Sequence, residues 1–490
     1  MRMQRTGKAR AGKPESGTSA ITPLLLAGVR RNLETTAEVR SPFDGHLIAS
    51  VCQATPDDAL EAIQAAQVAF AETRELPAWR RSAILNHIAD RLAGEALDLA
   101  RGMALEAGKP LHNGRAEVAR AIDTFRIAAE ETKRIGGEIL PLDWTAGNDG
   151  RNGLIRRFPI GPVLGITPFN FPLNLVAHKV APAIAAGNPI IIKPAPQTPL
   201  TALRLGQMVV DAGWPAGAIS VLPCSNEVAA GMIADDRIRM LSFTGSAKVG
   251  WALKAAAPRK RVTLELGGNA AMIVHEDADL ELAAQAILQG GFSYAGQSCI
   301  SVQRVFVHKM RWQTLAQRLT EGVEQMVVGD PLDEEVQIGP MISVAAAERA
   351  EAWIERAVDA GARLLTGGER KGARLRPAIL AKVARTTELF QEEVFAPVVF
   401  LNPCESFDEA IEAVNDSRYG LQAAVFTRDW QRIMQAWKQI DAGAVLVNES
   451  TAWRADHMPY GGVKESGMGR EGVRAAIDSM MEEKLLVARF

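Results

Sequence analysis

Cys299 is the candidate nucleophile of this 490-residue chain. It ends the run Gly-Gln-Ser-Cys, in a turn that separates a predicted helix, Leu280–Phe292, from a predicted strand, Val302–Val307. Such a turn leaves the sulfur accessible and the backbone N–H of Cys299 free to donate. A thiol of ordinary pKa is only a few per cent thiolate at neutral pH, so it needs a neighbouring base or a local field. The other cysteines are expected to be buried and inert: Cys52, Cys224 and Cys404.

Glu265 is the candidate general base. It lies in the apolar run Val262–Leu266, where loss of water should raise the pKa of a carboxylate towards the range of a general base. An ordinary salt bridge is the alternative. Asn170 could donate its amide to a developing oxyanion, together with the Cys299 N–H, and one such donor contributes about 2.7–4 kcal/mol. Alternatively, Asn170 caps the following helix.

Short apolar runs alternate with helical patterns around these residues, which predicts a parallel sheet built from strand–helix–strand units. The predicted strands are Val163–Thr167, Pro189–Lys193, Ala218–Leu222, Met240–Thr244 and Val262–Leu266. The predicted helices are Leu175–Ala186, Leu200–Ala212, Glu227–Ala234 and Ser246–Ala257.

Polar residues stand where four of these strands end. They are Asn170, Lys193, the pair Gly245-Ser246, and Glu265. Because ligands of open α/β sheets bind beyond the carboxyl ends of the strands, we expect one shared cleft there. The alternative is that strands simply end in polar turns. No Gly-x-Gly-x-x-Gly motif occurs, but Gly245 and Gly250 bracket a helix start that offers free N–H groups to a phosphate.

A second α/β unit is predicted after Glu265. Its strands are expected at Ala271–Val274 and Val302–Val307, and around Phe400, Val425 and Val445. A glycine-rich hairpin is expected before the first sheet, returning through Arg151–Pro159. The apolar end of the chain, Lys484–Phe490, predicts an edge strand that adds to the sheet of a neighbouring subunit. The basic, Gly- and Ser-rich residues 1–19 predict a disordered tail.

The composition excludes several classes of protein. An apolar fraction of 47% with 23% charged residues is typical of a globular chain, and 55 basic against 57 acidic residues lack the basic excess of a nucleic-acid binder. The four cysteines and seven histidines show no paired spacing, so no metal is expected, and free thiols favour a reducing, cytoplasmic location. No apolar stretch reaches the ~18 residues of a membrane span.

Seven motifs resemble those of the aldehyde dehydrogenase superfamily, over about Pro42 to Gly472. They are Thr167-Pro168-Phe169-Asn170-Phe171-Pro172, Lys193-Pro194-Ala195, Phe243-Thr244-Gly245-Ser246, Leu264-Glu265-Leu266-Gly267-Gly268-Asn269, Gly296-Gln297-Ser298-Cys299, Glu392-Glu393-Val394-Phe395-Ala396-Pro397 and Pro459-Tyr460-Gly461-Gly462-Val463-Lys464-Glu465-Ser466-Gly467. The resemblance implies an α/β fold with two doubly wound parallel-sheet domains, one Rossmann-like for the cofactor and one catalytic, plus a small β oligomerisation arm.

The boundaries that follow are 20–138 and 159–267 for the cofactor domain, 268–465 for the catalytic domain, and 139–158 with 466–490 for the arm. A homodimer or homotetramer is implied. The implied activity is NAD(P)-dependent oxidation of an aldehyde to the carboxylic acid. Cys299 would form a thiohemiacetal, loss of hydride would leave a thioester, Glu265 would activate the hydrolytic water, and Asn170 would hold the oxyanion.

The resemblance also implies a set of cofactor-binding residues. They are Thr167, Pro168, Phe169, Lys193 at the adenosine ribose, Gly245 and Ser246 near the pyrophosphate, Glu393 at the nicotinamide ribose, and Phe395 near the ring. Pro196 stands where many NAD-preferring members place a glutamate, so the choice between NAD and NADP stays open.

Arg120 and Arg454 lie in segments that supply anion contacts in members acting on small phosphate- or carboxylate-bearing aldehydes, and the segment Trp453–Pro459 is similar to those members. The alternative is that both arginines are solvated surface charges. Three aromatic residues either line an aldehyde tunnel or simply pack: Phe169, Phe292 and Tyr294. His178 is expected to be a hydrogen-bonded core residue.

Three other functions compete with hydrolytic aldehyde oxidation. A CoA-acylating dehydrogenase would pass the acyl group to CoA, but that branch usually lacks the base that Glu265 supplies. A non-catalytic scaffold on the same fold is disfavoured by the intact Cys299, Glu265 and Lys193. A cysteine hydrolase would need a histidine partner, and no histidine lies in a motif near Cys299.

Overall fold

Two large sheets organise the computed structural model, which describes residues 21–489. The tail predicted at residues 1–19 lies outside the described residues. The first sheet has eight strands and the second has seven. Among the described residues, no helix has the length and apolarity that a membrane crossing requires. The same residues contain no grouping of three or more His, Cys, Asp or Glu side chains able to hold a metal ion.

Five parallel strands form the centre of the eight-stranded sheet. In spatial order they are Arg261–Glu265, Met240–Thr244, Val163–Ile166, Ile190–Lys193 and Ile219–Val221. Each lies within one residue of its predicted bounds. Leu24–Leu26 and Val29–Arg31 extend one edge, and Gly467–Met468 pairs antiparallel on the other. The connecting helices also agree within one residue: Asn174–Ala186, Pro199–Asp211, Asn226–Ala234 and Ala247–Ala256.

The order of these strands places a cleft. Val163–Ile166 is the first of the five parallel strands along the chain. The next two strands are added on one side of it, and Met240–Thr244 and Arg261–Glu265 are then added on its other side. The two strands pair directly. The order in which strands are added to the sheet therefore reverses between these two strands. Ligands of doubly wound sheets bind at such a switch point.

The seven-stranded sheet confirms the predicted second α/β unit. Its spatial order is Arg363–Thr366, Ala378–Ala381, Val398–Cys404, Arg304–His308, Ala271–Val274, Gln422–Phe426 and Ala444–Val447, and only the first pair is antiparallel. Its helices are Leu280–Phe292, Lys309–Glu324, Val344–Asp359, Glu388–Gln391, Phe407–Asn415 and Trp430–Gln439. Successive side chains of Ala271–Val274 enter different apolar cores, with Ile273 on one face and Met272 on the other.

Four helices cover the first sheet before its central strands begin. They are Pro56–Thr73, Ala78–Gly94, Ala96–Ala107 and Leu111–Thr132, and they share its apolar core. A three-stranded sheet beside them contains Ile21–Thr22, Thr36–Arg40 and Leu47–Cys52. Smaller elements are the helix Val473–Ser479, the 3-10 turns Ala216–Ala218 and Ser293–Gly296, and the short strand pairs Arg370–Lys371 with Arg374–Leu375 and Tyr419–Gly420 with Val463–Lys464.

The C-terminal strand lies at the edge of a small sheet. Met481–Arg489 pairs antiparallel along its whole length with Arg151–Pro159 of its own chain, and Gly137–Pro141 completes this three-stranded sheet. The other edge of Met481–Arg489 has no partner strand among the described residues, so its addition to the sheet of a neighbouring subunit stays a prediction. We name Gly137–Pro159 together with Met481–Arg489 the arm.

The start of the arm also differs from the sequence-based boundary. Residues 466–480, which were assigned to the arm, pack with the eight-stranded sheet instead. Gly467–Met468 pairs with the strand that ends in Glu265, and Val473 and Ile477 are fully buried in the core of that sheet. The apolar spacing of this short helix matches a core face, so it stays with the sheet.

Candidate active site

A cleft of about 510 Å³ lies at the switch point and is lined by residues from both α/β units, the second of which contributes loop and helix residues. Most of the predicted site residues line it: Arg120, Pro168, Phe169, Asn170, Gly245, Ser246, Glu265, Cys299, Glu393, Phe395 and Arg454. Thr167 and Lys193 do not line this cleft. They are buried beside each other at the ends of adjacent strands, where the Thr167 N–H donates to the Lys193 carbonyl at 3.1 Å.

A strained turn holds Cys299. The helix Leu280–Phe292 ends in a 3-10 turn in which Tyr294, Ala295 and Gly296 all have positive φ, at 48°, 52° and 65°. Positive φ is unfavourable for residues other than glycine, and such strain concentrates at functional sites. A Cβ on Gly296 would lie 2.1 Å from the Ala396 carbonyl oxygen, so only glycine fits this close approach.

Tyr294 and Phe292 do not line the cleft, and both pack inside the protein, which is the alternative to a tunnel role given above. The Tyr294 hydroxyl donates to the Ala107 carbonyl at 2.8 Å, and its side chain is buried. Phe292 is fully buried in the core of the second sheet. The left-handed turn points these rings into the protein, a direction that helical periodicity alone does not predict.

The Cys299 sulfur is 3.0 Å from the Tyr460 hydroxyl. Burial raises the pKa of Cys299 to about 12; the hydrogen bond to Tyr460 and the charge of Arg454 oppose this rise, while the carboxylates of Glu393 and Glu265 add to it. An activated thiolate needs a local field that lowers the pKa of the thiol. The charges around the Cys299 sulfur do not supply that field.

Glu265 is the last residue of its strand and is 4% exposed. Neither carboxylate oxygen has a hydrogen-bond partner among the described residues, and no salt bridge forms there, which excludes the alternative considered above. Burial, with a contribution from Glu471, raises the pKa of Glu265 well above its ordinary value. The predicted desolvation and direction of the shift are confirmed. A carboxylate whose pKa is raised is a stronger base towards water.

Asn170 lies against the turn of Cys299. Its Nδ2 donates to the Gln297 carbonyl at 3.0 Å, and its Oδ1 is buried without a partner among the described residues. The next helix begins at Asn174 after Leu173, so Asn170 is not its cap. An amide in this position can donate towards an oxygen that develops beside Cys299.

The two candidate arginines occupy different environments. The Arg120 side chain is 31% exposed and donates to both oxygens of Asp456, at 3.1 and 2.7 Å. The Arg454 side chain is only 5% exposed and donates to Glu471 at 2.7 Å, so the alternative of a solvated charge is wrong for Arg454. His178 is a buried, hydrogen-bonded core residue as expected, 2.7 Å from Asp456.

The residues at the switch point fit a dinucleotide. Ser246 precedes the helix Ala247–Ala256 and makes no side-chain cap, which leaves the first N–H groups of this helix available to a pyrophosphate. A Cβ on Gly250 would lie 2.4 Å from the Leu266 side chain, so glycine lets this helix approach the sheet closely. Gly245 and Ser246, which the resemblance places near the pyrophosphate, therefore stand at a helix N-terminus that can bind an anion.

Glu393 and Phe395 form the opposite wall of the cleft. Glu393 accepts a hydrogen bond from the Gly268 N–H at 3.1 Å, and burial raises its pKa to about 7. A Cβ on Gly267 would lie 2.2 Å from a Glu393 oxygen, which explains the small residue there. The Phe395 ring packs edge-to-face on Phe169 at 5.8 Å.

Sequence reasoning missed four polar residues in this region, of which Tyr460 and Glu471 line the cleft and two lie behind it. Lys179 donates to Ser242 and Thr244 at 3.1 and 2.8 Å, and Glu471, Asp456 and Tyr460 complete the group. Tyr460 and Asp456 do lie in segments that the motifs singled out. Their partners are distant in the chain, however, since 161 residues separate Tyr460 from Cys299, so local patterns carried no signal for these contacts.

Comparison with known proteins identifies this arrangement. The model of the aldehyde dehydrogenase family matches residues 29–486. A 3-sulfolactaldehyde dehydrogenase of Priestia aryabhattai is 43% identical over 93% of this chain and 96% of that protein. Aldehyde dehydrogenase 21 of Physcomitrella patens, solved with its reaction product succinate, superposes with a TM-score of 0.95 at 42% identity, over 96% of this chain and 99% of that chain.

A third similarity concerns the cofactor. The glyceraldehyde-3-phosphate dehydrogenase GapN of Methanocaldococcus jannaschii, solved with NADP, superposes with a TM-score of 0.90 at 38% identity, over 94% of this chain and 100% of that chain. The family model, these similarities and the two-sheet fold agree. The chain belongs to the aldehyde dehydrogenase family and is an NAD(P)-dependent oxidoreductase that converts aldehydes to carboxylic acids.

Proposed function

We propose that this enzyme oxidises a small aldehyde that carries an anionic group, with Arg120 as the anion contact. The observation that carries the proposal is the partly exposed Arg120 guanidinium in the wall of the cleft that also contains Cys299 and Glu265. Relatives with similar sequences are named for 3-sulfolactaldehyde, aspartate semialdehyde and lactaldehyde, which are small aldehydes with acidic or hydroxyl groups.

In this mechanism the Cys299 sulfur attacks the aldehyde carbon and forms a thiohemiacetal, while the Asn170 amide donates to the oxygen that becomes negative. A bound nicotinamide cofactor would supply the acceptor for the hydride that the thiohemiacetal loses, and the acyl group would then stay on Cys299 as a thioester. Glu265 removes a proton from water, and the resulting hydroxide attacks the thioester and releases the acid. Ser246 and the helix after it, Glu393 and Lys193 would hold the cofactor.

Arg120 is a better anion contact than Arg454. The charge of Arg454 is balanced inside the protein by Glu471 at 2.7 Å, and its side chain is nearly inaccessible. Asp456, by contrast, is shared between Arg120 and the buried His178. Burial disfavours the charged form of Asp456, but the hydrogen bonds from His178 and Arg120 hold its pKa well below the usual range. Arg120 keeps surface for a ligand while Asp456 fixes its orientation.

The substitution Arg120→Leu tests this assignment. We expect the KM for a sulfonate- or carboxylate-bearing aldehyde to rise roughly tenfold or more, because a hydrogen bond to a charged group contributes about 1.5–3 kcal/mol. The KM for an uncharged aldehyde of the same length should change less than about twofold. Steady-state kinetics with both substrates, and with NAD and NADP in parallel, measure this.

Arg115→Leu is the matched control, because Arg115 lies on the same helix and pairs with the exposed Glu334. It should leave both KM values unchanged. An equal rise for charged and uncharged aldehydes in Arg120→Leu would contradict the anion contact.

The division of roles between Cys299 and Glu265 is tested by Glu265→Gln. The amide cannot accept the proton of water, so thioester hydrolysis should slow by about 10²-fold or more while hydride transfer continues. Stopped-flow absorbance should therefore show a burst of NAD(P)H close to one per active site, followed by slow turnover. Loss of the burst would contradict this division.

Adding CoA should not change the acid product, whereas an acyl-CoA product would support the acylating alternative.

A further inference from the structure

Tyr460 is the hydrogen-bond partner of the candidate nucleophile. Its hydroxyl lies 3.0 Å from the Cys299 sulfur, and it is the only hydrogen-bond partner of that sulfur within residues 21–489. Tyr460 is 4% exposed and packs with Ile300 and Leu421 in a small apolar cluster against Cys299. In such surroundings a single hydrogen bond is stronger than in water.

The direction of this bond is fixed once the thiol has ionised. A thiolate only accepts hydrogen bonds, so the Tyr460 hydroxyl must then donate. Burial raises the pKa of Tyr460 well above its ordinary value, so this hydroxyl keeps its proton at any pH at which the enzyme is handled. Tyr460 is therefore a permanent donor, in contrast to the two carboxylates of Glu265 and Glu393, which disfavour negative charge on the sulfur.

Arg454 fixes and polarises the tyrosine. Its guanidinium lies over the Tyr460 ring at 3.9 Å from the ring centroid, and Glu471 anchors it from the other side at 2.7 Å. A cation against the face of a phenol holds the ring and makes the hydroxyl a better donor. The backbone of Tyr460 is also fixed, because its N–H donates to the Glu471 carbonyl at 2.9 Å and its carbonyl accepts from the Glu471 N–H at 2.6 Å.

We propose that the Tyr460 hydroxyl is a catalytic hydrogen-bond donor that stabilises the Cys299 thiolate, with Arg454 as the residue that positions it. This inference rests on the proposed function, in which Cys299 is the nucleophile. The chemical role belongs to the Tyr460 hydroxyl. A phenylalanine at position 460 would fill the same space with its ring but would lack this hydroxyl.

Tyr460→Phe tests the proposal through alkylation of Cys299 by iodoacetamide, in which the thiolate displaces iodide. Loss of the donor should raise the acidity midpoint of the thiol by about one pH unit. A more basic thiolate is also more nucleophilic, with a Brønsted coefficient of about 0.4–0.5. The alkylation rate below the midpoint should therefore fall about threefold, and any plateau reached at high pH should rise about threefold. A change in accessibility alone would move both parts of the pH profile in the same direction.

Three controls accompany this measurement. Tyr419→Phe removes a hydroxyl that contacts Arg418 and Glu392 outside the cleft, and it should leave the alkylation profile unchanged. Cys299→Ser identifies the labelled thiol by mass spectrometry. Installing 3-fluorotyrosine at position 460 keeps the ring and hydroxyl but makes the phenol more acidic, so alkylation below the midpoint should be faster than in the wild type.

The order fluorotyrosine, tyrosine, phenylalanine in alkylation rate below the midpoint supports the proposal. Identical profiles for tyrosine and phenylalanine overturn it, as does a parallel loss at every pH. Because alkylation requires no turnover, the two hypotheses fail separately. If Cys299→Ala retained normal turnover, the proposed function would be wrong. If Cys299→Ala were inactive while Tyr460→Phe reacted like the wild type, only the role of Tyr460 would be wrong.

Discussion

At the scale of single residues, the cleft concentrates carboxylates where water is scarce. Glu265, Glu393 and Glu471 all line it. Glu471 ionises because, although burial opposes it, the surrounding cationic groups lower its pKa to about 2. For Glu265 and Glu393, burial outweighs the cationic groups nearby, so their pKa values rise. The cleft therefore contains one carboxylate that is held ionised and two whose pKa values are raised, and carboxylates perturbed in this way are typical of sites of acid–base chemistry.

Glu393 should reduce stability at alkaline pH. Its pKa is raised from an ordinary 4.5 to about 7 in the folded protein, so the stabilisation from holding its proton is complete below about pH 4.5 and is lost as the pH rises through about 7. Glu393→Gln removes this titration. We expect the variant to lose about 2 kcal/mol less unfolding free energy than the wild type between pH 5 and pH 8, while its affinity for NAD(P) falls.

Urea unfolding at the two pH values measures the effect of Glu393→Gln, and dinucleotide titration measures its cost in binding. The neighbouring residue offers a control, since Glu392 pairs with Arg418 at the surface and Glu392→Gln should leave the pH dependence unchanged. Parallel pH profiles for wild type and Glu393→Gln would show that this carboxylate is not the titrating group.

At the scale of elements, the turn that carries Cys299 has three consecutive left-handed residues, and it stores strain at Tyr294 and Ala295, which are not glycine. Gly296→Ala adds a Cβ in the left-handed region and places it 2.1 Å from the Ala396 carbonyl oxygen. The turn must then shift, and displacement of a reacting atom by about 1 Å can cost about 10²-fold in rate. We expect kcat to fall at least about tenfold, measured by steady-state kinetics, together with a lower unfolding temperature.

Gly147→Ala separates the two causes of that loss. Gly147 has φ of 88° in the hairpin loop, and a Cβ there would meet nothing within 4 Å. This variant should lose about 1 kcal/mol of stability and keep its kcat. Equal loss of kcat in both variants would mean that the fit of Gly296 against Ala396 is unimportant for catalysis.

The same contrast shows what the sequence could predict. The strands and helices of the first sheet lie within one residue of their predicted bounds, because glycine, proline and polar residues mark the ends of apolar runs. The strand-end residues Asn170, Glu265 and Ser246 do share one cleft. The positive φ of Tyr294 and Ala295 has no sequence signal, since neither is glycine. The sequence therefore could not decide between the two expectations for Tyr294, which is packed in the interior. The network of Tyr460, Arg454 and Glu471 depends on contacts between distant segments, which periodicity does not encode.

At the scale of the whole molecule, the arm exposes apolar side chains on both faces. Leu485 and Leu486 alternate across the C-terminal strand, yet they are 49% and 62% exposed, and Ile139 and Trp144 of the hairpin are also exposed. A three-stranded sheet that is apolar on both sides is poorly stabilised alone. Exposed apolar surface of this kind marks an interaction site, and we propose that a second copy of this chain covers it.

Leu486→Glu tests this oligomerisation through the arm. A carboxylate buried without a partner in an interface costs about 3 kcal/mol or more per copy, so association should weaken by more than about a hundredfold. Light scattering during size-exclusion chromatography should show a mass that falls from a multiple of 52.8 kDa towards 52.8 kDa. Val68→Glu is the control, because Val68 is 71% exposed on the helix Pro56–Thr73, away from the arm, and this variant should keep the wild-type mass.

A wild type that is already monomeric, or a Leu486→Glu protein that elutes with the wild-type mass, would contradict assembly through the arm. Because Arg261 donates to the carbonyl of Met481 at the base of the arm and begins the strand that ends in Glu265, we also expect the dissociated variant to show a changed KM for its aldehyde.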